Sequence, residues 1–232
     1  MSLNKNNTKI EITPDRVHIQ VALELIRKYN NGEKVKLLDV GSGDNILKHH
    51  LPHKIEYYSL ELPDKELEDK FEDERGYKYD FVLDLDKKKI PIGDNFFDII
   101  VCLDVLEHTI FPENIIKELK RITKDKGLFI ISLPNEYNFL HRLYYLFAIK
   151  TYSEISWRVV FLHQHIQKPR VKDIIDLMLS NFELLQVKYN WHSRMSYHGR
   201  FFFMLDKLFN GLAQIHPSLF ARDVVAVCKN KK

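Results

Sequence analysis

The chain is poor in cysteine, and the cysteines it has do not indicate a disulfide framework or a zinc site. Only two of its 232 residues are cysteine, Cys102 and Cys228. They are far apart in sequence, and both lie in apolar runs that are typical of buried strands. No Cys/His spacing resembles that of a zinc site. Because buried thiols are typical of a reducing compartment, we predict a cytoplasmic protein.

Long hydrophobic stretches and a large excess of one charge are also missing. No window is long and apolar enough to predict a transmembrane helix, and the N-terminal sequence MSLNKNNTKIEIT lacks the apolar core of a signal peptide. The 35 basic and 32 acidic residues leave a formal net charge of only +3. We therefore expect no membrane-spanning segment and no nucleic-acid partner.

What the chain does contain is a regular alternation of apolar strands and amphipathic helices. The length fits one domain. Helices are predicted from Pro14 (with Thr13 as N-cap), around 46–51, from Pro112 to Gly127 and from Pro169. The predicted strands are 35–40, 55–62, 79–85, 97–104, 128–134, 182–190 and 223–229. Because the central strands are apolar on both faces, we predict an α/β fold in which helices cover both faces of a doubly wound sheet.

Glycine is scarce, yet two of the 8 glycines stand one residue apart in LLDVGSGDN. Gly41 and Gly43 follow a predicted strand directly, so the backbone can turn sharply and approach a ligand there. The run G-S-G-D-N-I departs from the dinucleotide fingerprint G-x-G-x-x-G, because Ile46 replaces the third glycine. Asp39 and Asp44 flank the turn and would repel a pyrophosphate. The turn therefore favours a cationic cofactor without phosphates over NAD.

The next strands end in further polar residues at the same predicted edge of the sheet. A carboxylate at Glu61 can accept hydrogen bonds from both hydroxyls of a ribose. Asp84 can accept from the exocyclic amine of an adenine, and Asp86 is the alternative for that role. Leu103 and Asp104 end the fourth strand and face the same crevice.

Five segments, taken in order, resemble the class I S-adenosylmethionine-dependent methyltransferases, and most closely the methyltransferase type 11-like group with small-molecule or lipid-linked substrates. They are LLDVGSGDN, YYSLEL, VLDLD, IPIGDNFFDIIVCLDVLEHT and ELKRITKDKGLFIISLPN. The likeness is good over 35–135 and weak over 160–185. It implies a Rossmann-like seven-stranded sheet of order 3-2-1-4-5-7-6 with strand seven antiparallel. The single domain, 1–232, then has its core at about 33–135, 166–190 and 222–229.

The resemblance also implies S-adenosylmethionine as cofactor and S-adenosylhomocysteine as product. The cofactor-binding residues it implies are Asp39, Gly41, Ser42, Gly43, Glu61, Leu62, Asp84, Leu85, Leu103 and Asp104. We predict methyl transfer to a small-molecule or lipid-linked acceptor at oxygen, with nitrogen or carbon as the less favoured accepting atom. The alternatives are an NAD-dependent oxidoreductase and a non-catalytic module that binds S-adenosylmethionine.

The segment DVLEHT supplies the candidate catalytic residues. If it begins a helix, Asp104, Glu107 and His108 lie on one face. Transfer from a sulfonium depends mainly on alignment, and a hydroxyl acceptor also needs a general base. We predict His108 in that role with Glu107 orienting it, and the resemblance places His165 near the acceptor.

A metal site at the same residues is an alternative that we do not favour. Small-RNA 3′-end methyltransferases and some quinone-biosynthesis methyltransferases bind a divalent metal through E-x-x-E-H and a distant histidine. The match here is Asp104, Glu107, His108 and His165, with aspartate in place of the first glutamate. Such ligands suit Mn, Co, Fe or Zn. Because L-E-H is frequent in the family without a metal, we predict none.

Two aromatic-rich segments, 137–165 and 191–222, do not fit a minimal sheet. In the first, one helical face is predicted to be apolar over Phe139, Leu140, Leu143, Tyr144 and Phe147. This face is either a lid over a hydrophobic acceptor or a packing surface on the core or in a homodimer. The second interpretation is slightly favoured.

Overall fold

The computed structural model describes residues 12, 16–30, 32–62, 78–147, 165–191 and 200–232. A seven-stranded sheet of order β3-β2-β1-β4-β5-β7-β6 forms its centre. The strands are β1 (Val35–Val40), β2 (Ile55–Glu61), β3 (Phe81–Val82), β4 (Phe97–Leu103), β5 (Thr123–Pro134), β6 (Phe182–Asn190) and β7 (Asp223–Asn230). Strands β1 to β5 pair in parallel, and β7 is antiparallel to both β5 and β6. The predicted fold class, strand order and antiparallel seventh strand are confirmed.

Helices and one short 3-10 turn connect these strands. The helices are α1 (Val17–Asn30), α2 (Ile46–His50), α3 (Pro112–Ile122), α4 (Phe139–Leu146), α5 (Val171–Asn181), α6 (Arg200–Ile215) and α7 (Pro217–Phe220). The 3-10 turn covers Leu106–His108. Over the described ranges, no helix has both the length and the apolar character needed to cross a membrane.

The sheet is buried on both faces, as the apolar strands predict. In β4, Ile100 and Cys102 pack in the core cluster that includes residues of α3 and α5. Ile99 and Val101 of the same strand pack in the cluster that includes residues of α1 and α2. Because successive side chains of a strand point to opposite faces, β4 has to be apolar throughout.

The predicted end of the helix from Pro112 was wrong. The helix ends at Ile122, and Gly127 lies within β5. The Thr123 hydroxyl donates to the Leu119 carbonyl, and the Asn230 side-chain amide donates to the carbonyls of Lys120, Thr123 and Lys124. Side chains from β5 and β7 thus satisfy the carbonyls at this helix end, so no glycine is needed to stop the helix.

Other predicted boundaries changed through local hydrogen bonds. Strand β3 is only two residues long, because the chain turns at 85–87, where the Asp84 carboxylate accepts from the Asp86 amide. Helix α5 begins at Val171 instead of Pro169, because the Arg170 amide donates to the Asp173 side chain. The predicted cap at Thr13 and Pro14 lies outside the described residues.

The described parts of the two aromatic-rich segments pack against each other. Phe139 of α4 contacts Trp191, Phe209 of α6 and Phe220 of α7, with ring centroids 5.3 to 5.6 Å apart. Directly after α4 the predicted apolar face is open to solvent, since Phe147 is 66% exposed. One end of the face therefore forms a small aromatic core, and the other end is a surface.

Candidate active site

The glycine turn follows β1 directly and adopts a backbone that glycine favours. Gly41 and Gly43 have φ angles of +70° and +51°. A Cβ added to Gly41 would lie 2.4 Å from Cγ2 of Val105, whereas one added to Gly43 would meet no atom within 4 Å. Glycine is thus required at position 41 both because φ is positive and because Val105 packs closely there. At Gly43, the missing side chain leaves open space beside the backbone.

A cavity of about 440 Å³ opens at this turn. Among the described residues it is lined by Arg16, His18, Ile19, Asp39, Gly41, Ser42, Gly43, Asp44, Ile46, Leu47, Tyr79 and Leu103. Its volume is that of a small-ligand site. Five of the predicted cofactor-binding residues meet there, namely Asp39, Gly41, Ser42, Gly43 and Leu103.

Asp39 is the buried acid of this cavity, with 5% of its surface exposed. Burial raises the pKa of Asp39 to about 7, although a hydrogen bond from the Tyr57 hydroxyl (2.8 Å) lowers it, and the negative charges of Glu61 and Asp44 raise it further. Burial likewise raises the pKa of the Tyr57 hydroxyl. In the described part of the chain Asp39 forms no ion pair, so a cation placed beside it would gain a partner.

Helix α1 and the residue before it contribute two cavity residues that the sequence interpretation missed. Arg16 pairs with Asp44 at 2.6 Å, and His18 Nδ1 lies 3.4 Å from a carboxylate oxygen of Asp104. The turn is therefore less negative than the sequence predicted, because one of its flanking acids is paired with a cation. No motif marks these two residues, since they lie upstream of the first strand and only the fold brings them to the cavity.

Glu61 is joined to the turn through the backbone. Its Oε2 accepts a hydrogen bond from the Gly43 amide at 2.7 Å, and the Tyr79 hydroxyl donates to the Gly43 carbonyl at 2.7 Å. Gly43 is thus held from two sides by residues at the ends of β2 and just before β3. Tyr79 was not among the predicted site residues.

The other predicted adenine-side residues do not line the cavity. Asp84 pairs with Lys87 at 2.7 Å, Leu85 packs partly buried against the core, and Leu62 is 56% exposed. Asp86 accepts hydrogen bonds from the amides of Ile110 and Phe111. The Asp86 side chain therefore holds the loop before α3, which favours Asp84 for any role toward a ligand.

DVLEHT does not begin an α-helix, so the condition under which its acids and histidine would share one helical face is not met. Asp104 has a φ of +53° and is followed by the 3-10 turn. The Ser132 hydroxyl donates to the Asp104 carboxylate and accepts from the Asp104 amide. This contact with β5 turns the chain out of a helical path.

The fold nevertheless brings Glu107, His108 and His165 together, with one potential ligand atom of each within 4.8 Å of the others. Asp104 lies outside this group. Burial, and next the charge of Asp104, raise the pKa of Glu107 well above its usual range. No other described residue donates a hydrogen bond to its carboxylate, and His108 Nε2 lies 4.0 Å from it. We call these three residues the His108–His165 group.

Glu136, just beyond β5, was missed by the sequence interpretation. It is 2% exposed, and its Oε1 is hydrogen-bonded to Nδ1 of His165, while Oε2 lies 3.5 Å from Nδ1 of His141. Burial acts to raise its pKa, but the hydrogen bond with His165 and the charges of His165, His141 and Lys168 outweigh burial. They hold the pKa of Glu136 below its usual range.

Comparison with known proteins agrees with this architecture. A family model described as "Methyltransferase domain" matches residues 38–131. The ubiquinone biosynthesis O-methyltransferase of Rickettsia prowazekii (strain Madrid E) is 24% identical over 181 residues, which are 75% of this chain and 69% of that protein.

Solved structures share the fold at lower identity. The PH0226 protein of Pyrococcus horikoshii OT3 matches with a TM-score of 0.57 and 17% identity, covering 99% of this chain and 97% of that one. An S-adenosylmethionine-dependent methyltransferase of Aquifex aeolicus matches with a TM-score of 0.53 and 14% identity, covering 94% of each chain.

The fold, the cavity and the family match over residues 38–131 all agree with a methyltransferase domain in that part of the chain. The resemblance to the class I S-adenosylmethionine-dependent methyltransferases that the sequence indicated is confirmed. The NAD-dependent oxidoreductase alternative receives no support from these matches.

Proposed function

We propose that this protein transfers a methyl group from S-adenosylmethionine to a hydroxyl oxygen of a small-molecule or lipid-linked acceptor. The observation that carries the proposal is the cavity at the glycine turn, with the buried Asp39 on its wall. The end of the neighbouring strand β4 leads to the 3-10 turn with His108, and the ring of His165 lies beside the His108 ring. A cation-binding pocket and a set of proton acceptors thus share one edge of the sheet.

The residues at the turn fit this cofactor. When bound, S-adenosylmethionine supplies an electrophilic methyl group on a positively charged sulfur. Ionised Asp39 would attract the positive charges of the cofactor, and the open backbone at Gly43 would allow close approach. Glu61, at the end of β2, would accept hydrogen bonds from the ribose hydroxyls.

Oxygen is favoured as the accepting atom because imidazole nitrogens are available to take its proton. A hydroxyl becomes a good nucleophile only when its proton is removed, and neutral histidine is suited to that role near neutral pH. The Rickettsia relative is named as an O-methyltransferase. The exposed apolar side chains of Phe147, which directly follows α4, and of Phe203 on α6 support an apolar or lipid-linked acceptor.

Calorimetric titration tests the cofactor assignment. S-adenosylmethionine and S-adenosylhomocysteine should bind saturably, and NAD should not. The variant Glu61→Ala should bind both about 10-fold or more weakly, because hydrogen bonds to a charged group contribute about 1.5–3 kcal/mol. Glu56→Ala is the matched control, since Glu56 is an exposed glutamate at the other end of the same strand.

Methyl transfer itself is measured with labelled cofactor and a panel of phenolic, alcoholic and amine acceptors in soluble and lipid-linked form. Labelled ether products would support the proposal. Binding of NAD in place of S-adenosylmethionine, or transfer to amines alone, would contradict it.

A further inference from the structure

Hydrogen bonds hold the backbone at Glu136 and the residue that precedes it. Asn135 precedes it, and its side-chain amide donates to the carbonyl of Ala221 at 2.8 Å. The Glu136 amide donates to the Pro169 carbonyl at 3.3 Å. Because the backbone is fixed on both sides and the side chain is buried, the direction of the Glu136 carboxylate is set by the fold.

The contact between Glu136 and His165 determines which ring nitrogen of His165 carries a proton. An ionised carboxylate has no hydrogen to donate, so a hydrogen bond to Nδ1 requires a proton on that nitrogen. In the neutral imidazole, Nε2 on the other side of the ring then has the free lone pair. Glu136 is ionised at neutral pH, since its pKa lies below the usual range.

His165 is placed to use that lone pair. Its side chain is 27% exposed, whereas that of Glu136 is 2% exposed. The His165 ring lies 4.9 Å from the His108 ring, centroid to centroid, with the planes 79° apart. The backbone of the same segment is tied to the 3-10 turn, since the Gln167 amide donates to the Glu107 carbonyl at 2.9 Å. The solvent-accessible imidazole of His165 is therefore hydrogen-bonded to the buried carboxylate of Glu136, whose position is fixed.

We propose that Glu136 is a positioning residue that holds His165 in the Nδ1–H form, so that Nε2 of His165 acts as the general base for the acceptor hydroxyl. This inference rests on the proposed function. The acceptor oxygen forms its bond to the methyl carbon as the carbon–sulfur bond breaks, and its proton passes to Nε2. The imidazolium that results is paired with the Glu136 carboxylate and later returns the proton to water.

The tautomer can be measured without any turnover. In the full chain labelled with 15N-histidine, long-range 1H–15N spectra should show neutral His165 with a protonated Nδ1 and an unprotonated Nε2. His165→Asn assigns the signals. In Glu136→Ala this preference should be lost, whereas Glu183→Ala, which removes an exposed glutamate on β6, should leave it unchanged. An unchanged tautomer in Glu136→Ala would overturn the proposal.

Kinetics provide the second readout. Glu136→Ala should lower kcat about 100-fold, with KM for S-adenosylmethionine and calorimetric affinity for S-adenosylhomocysteine within about twofold, because general bases contribute 10²–10⁴-fold. Glu136→Gln keeps the shape of the side chain and one acceptor oxygen, so it tests the proposal if the alanine variant does not fold. Its kcat should lie between that of the wild type and that of Glu136→Ala.

The two proposals fail in different ways. If the wild type neither binds S-adenosylmethionine nor transfers methyl groups, the proposed function is wrong, and the role of Glu136 in it is wrong too. If the wild type transfers methyl groups and both Glu136 variants keep kcat within twofold, the proposed function stands and only the positioning role is overturned.

Discussion

Asp39 shows how burial and function oppose each other at a single residue. Its carboxylate is removed from water, accepts one hydrogen bond from Tyr57, and faces two further acids. A buried charge without a cationic partner is unfavourable, and the raised pKa expresses this cost. A cationic ligand would supply the missing partner, so cofactor binding and protonation of Asp39 are linked.

We expect the affinity for S-adenosylmethionine to fall as the pH is lowered through about 7, because protonation removes the negative charge of Asp39. Asp39→Asn should bind about 10-fold or more weakly at pH 8 and should lose this pH dependence. Calorimetry between pH 5.5 and 8.5 measures both effects. Asp125→Asn, at an exposed position of β5, is the control, and an equal pH dependence in Asp39→Asn would contradict the linkage.

The same substitution should stabilise the protein without ligand. The pKa of Asp39 is higher in the folded state (about 7) than the ordinary value of 3.8. The fold therefore prefers the protonated form, and stability is lost as the pH rises from about 4 to above 7. At pH 8 Asp39→Asn should raise the free energy of unfolding by up to about 4 kcal/mol, since one pKa unit corresponds to about 1.4 kcal/mol. Urea denaturation at pH 5 and pH 8 measures the difference, and a variant no more stable at pH 8 would refute this explanation.

At the scale of elements, the turn between β1 and α2 depends on Gly41. Gly41→Ala should lower the free energy of unfolding by about 2 kcal/mol or more, because the left-handed backbone is strained for alanine and the new Cβ would meet Val105. Cofactor affinity should fall too, because the turn would shift. Urea denaturation and calorimetry measure the two losses.

Gly211, inside α6, is the matched control for that substitution. A Cβ there meets no atom within 4 Å, and alanine is preferred to glycine in helices by about 0.5–1 kcal/mol. Gly211→Ala should therefore stabilise the protein by that amount and leave binding unchanged. If both substitutions had the same effect, the packing of Gly41 against Val105 would not matter.

At the scale of the whole molecule, the strand order assembles the site. Strands β1, β4 and β5 are adjacent and parallel, so their carboxyl ends meet at one edge. Asp39 lies near the end of the first, Asp104, Glu107 and His108 follow the second, and Glu136 follows the third and contacts His165. The crevice outside these strand ends is where doubly wound sheets bind ligands.

Because the cavity belongs to the folded state alone, a bound ligand should stabilise the entire domain. S-adenosylhomocysteine at about 100 times its Kd should add about 2.7 kcal/mol and raise the Tm by roughly 5–10 °C. Differential scanning calorimetry measures the shift. Glu61→Ala should show a smaller shift at the same concentration, and an equal shift with NAD would contradict the cofactor assignment.

The sequence by itself was sufficient for the class of fold and for the turn. A strand that is apolar on both faces can be stable only between two helix layers, and glycines directly after such a strand allow the left-handed backbone of a sharp turn. These are local constraints, so LLDVGSGDN and the alternation of strands and helices predict the sheet and the place of the cavity.

Only the tertiary structure decided which side chains meet in the site. The packing of α1 brings Arg16 and His18 to the cavity. Hydrogen bonding to Ser132 of β5 prevents a helix at Asp104. Glu136 is hydrogen-bonded to His165, which lies 29 residues further along the chain. Such pairings depend on distances between elements that are far apart in sequence, and no periodicity or spacing encodes them. For that reason the sequence predicted the cofactor, its turn and the candidate residues Glu107, His108 and His165, whereas the contact of Glu136 with His165 could be inferred only from the folded chain.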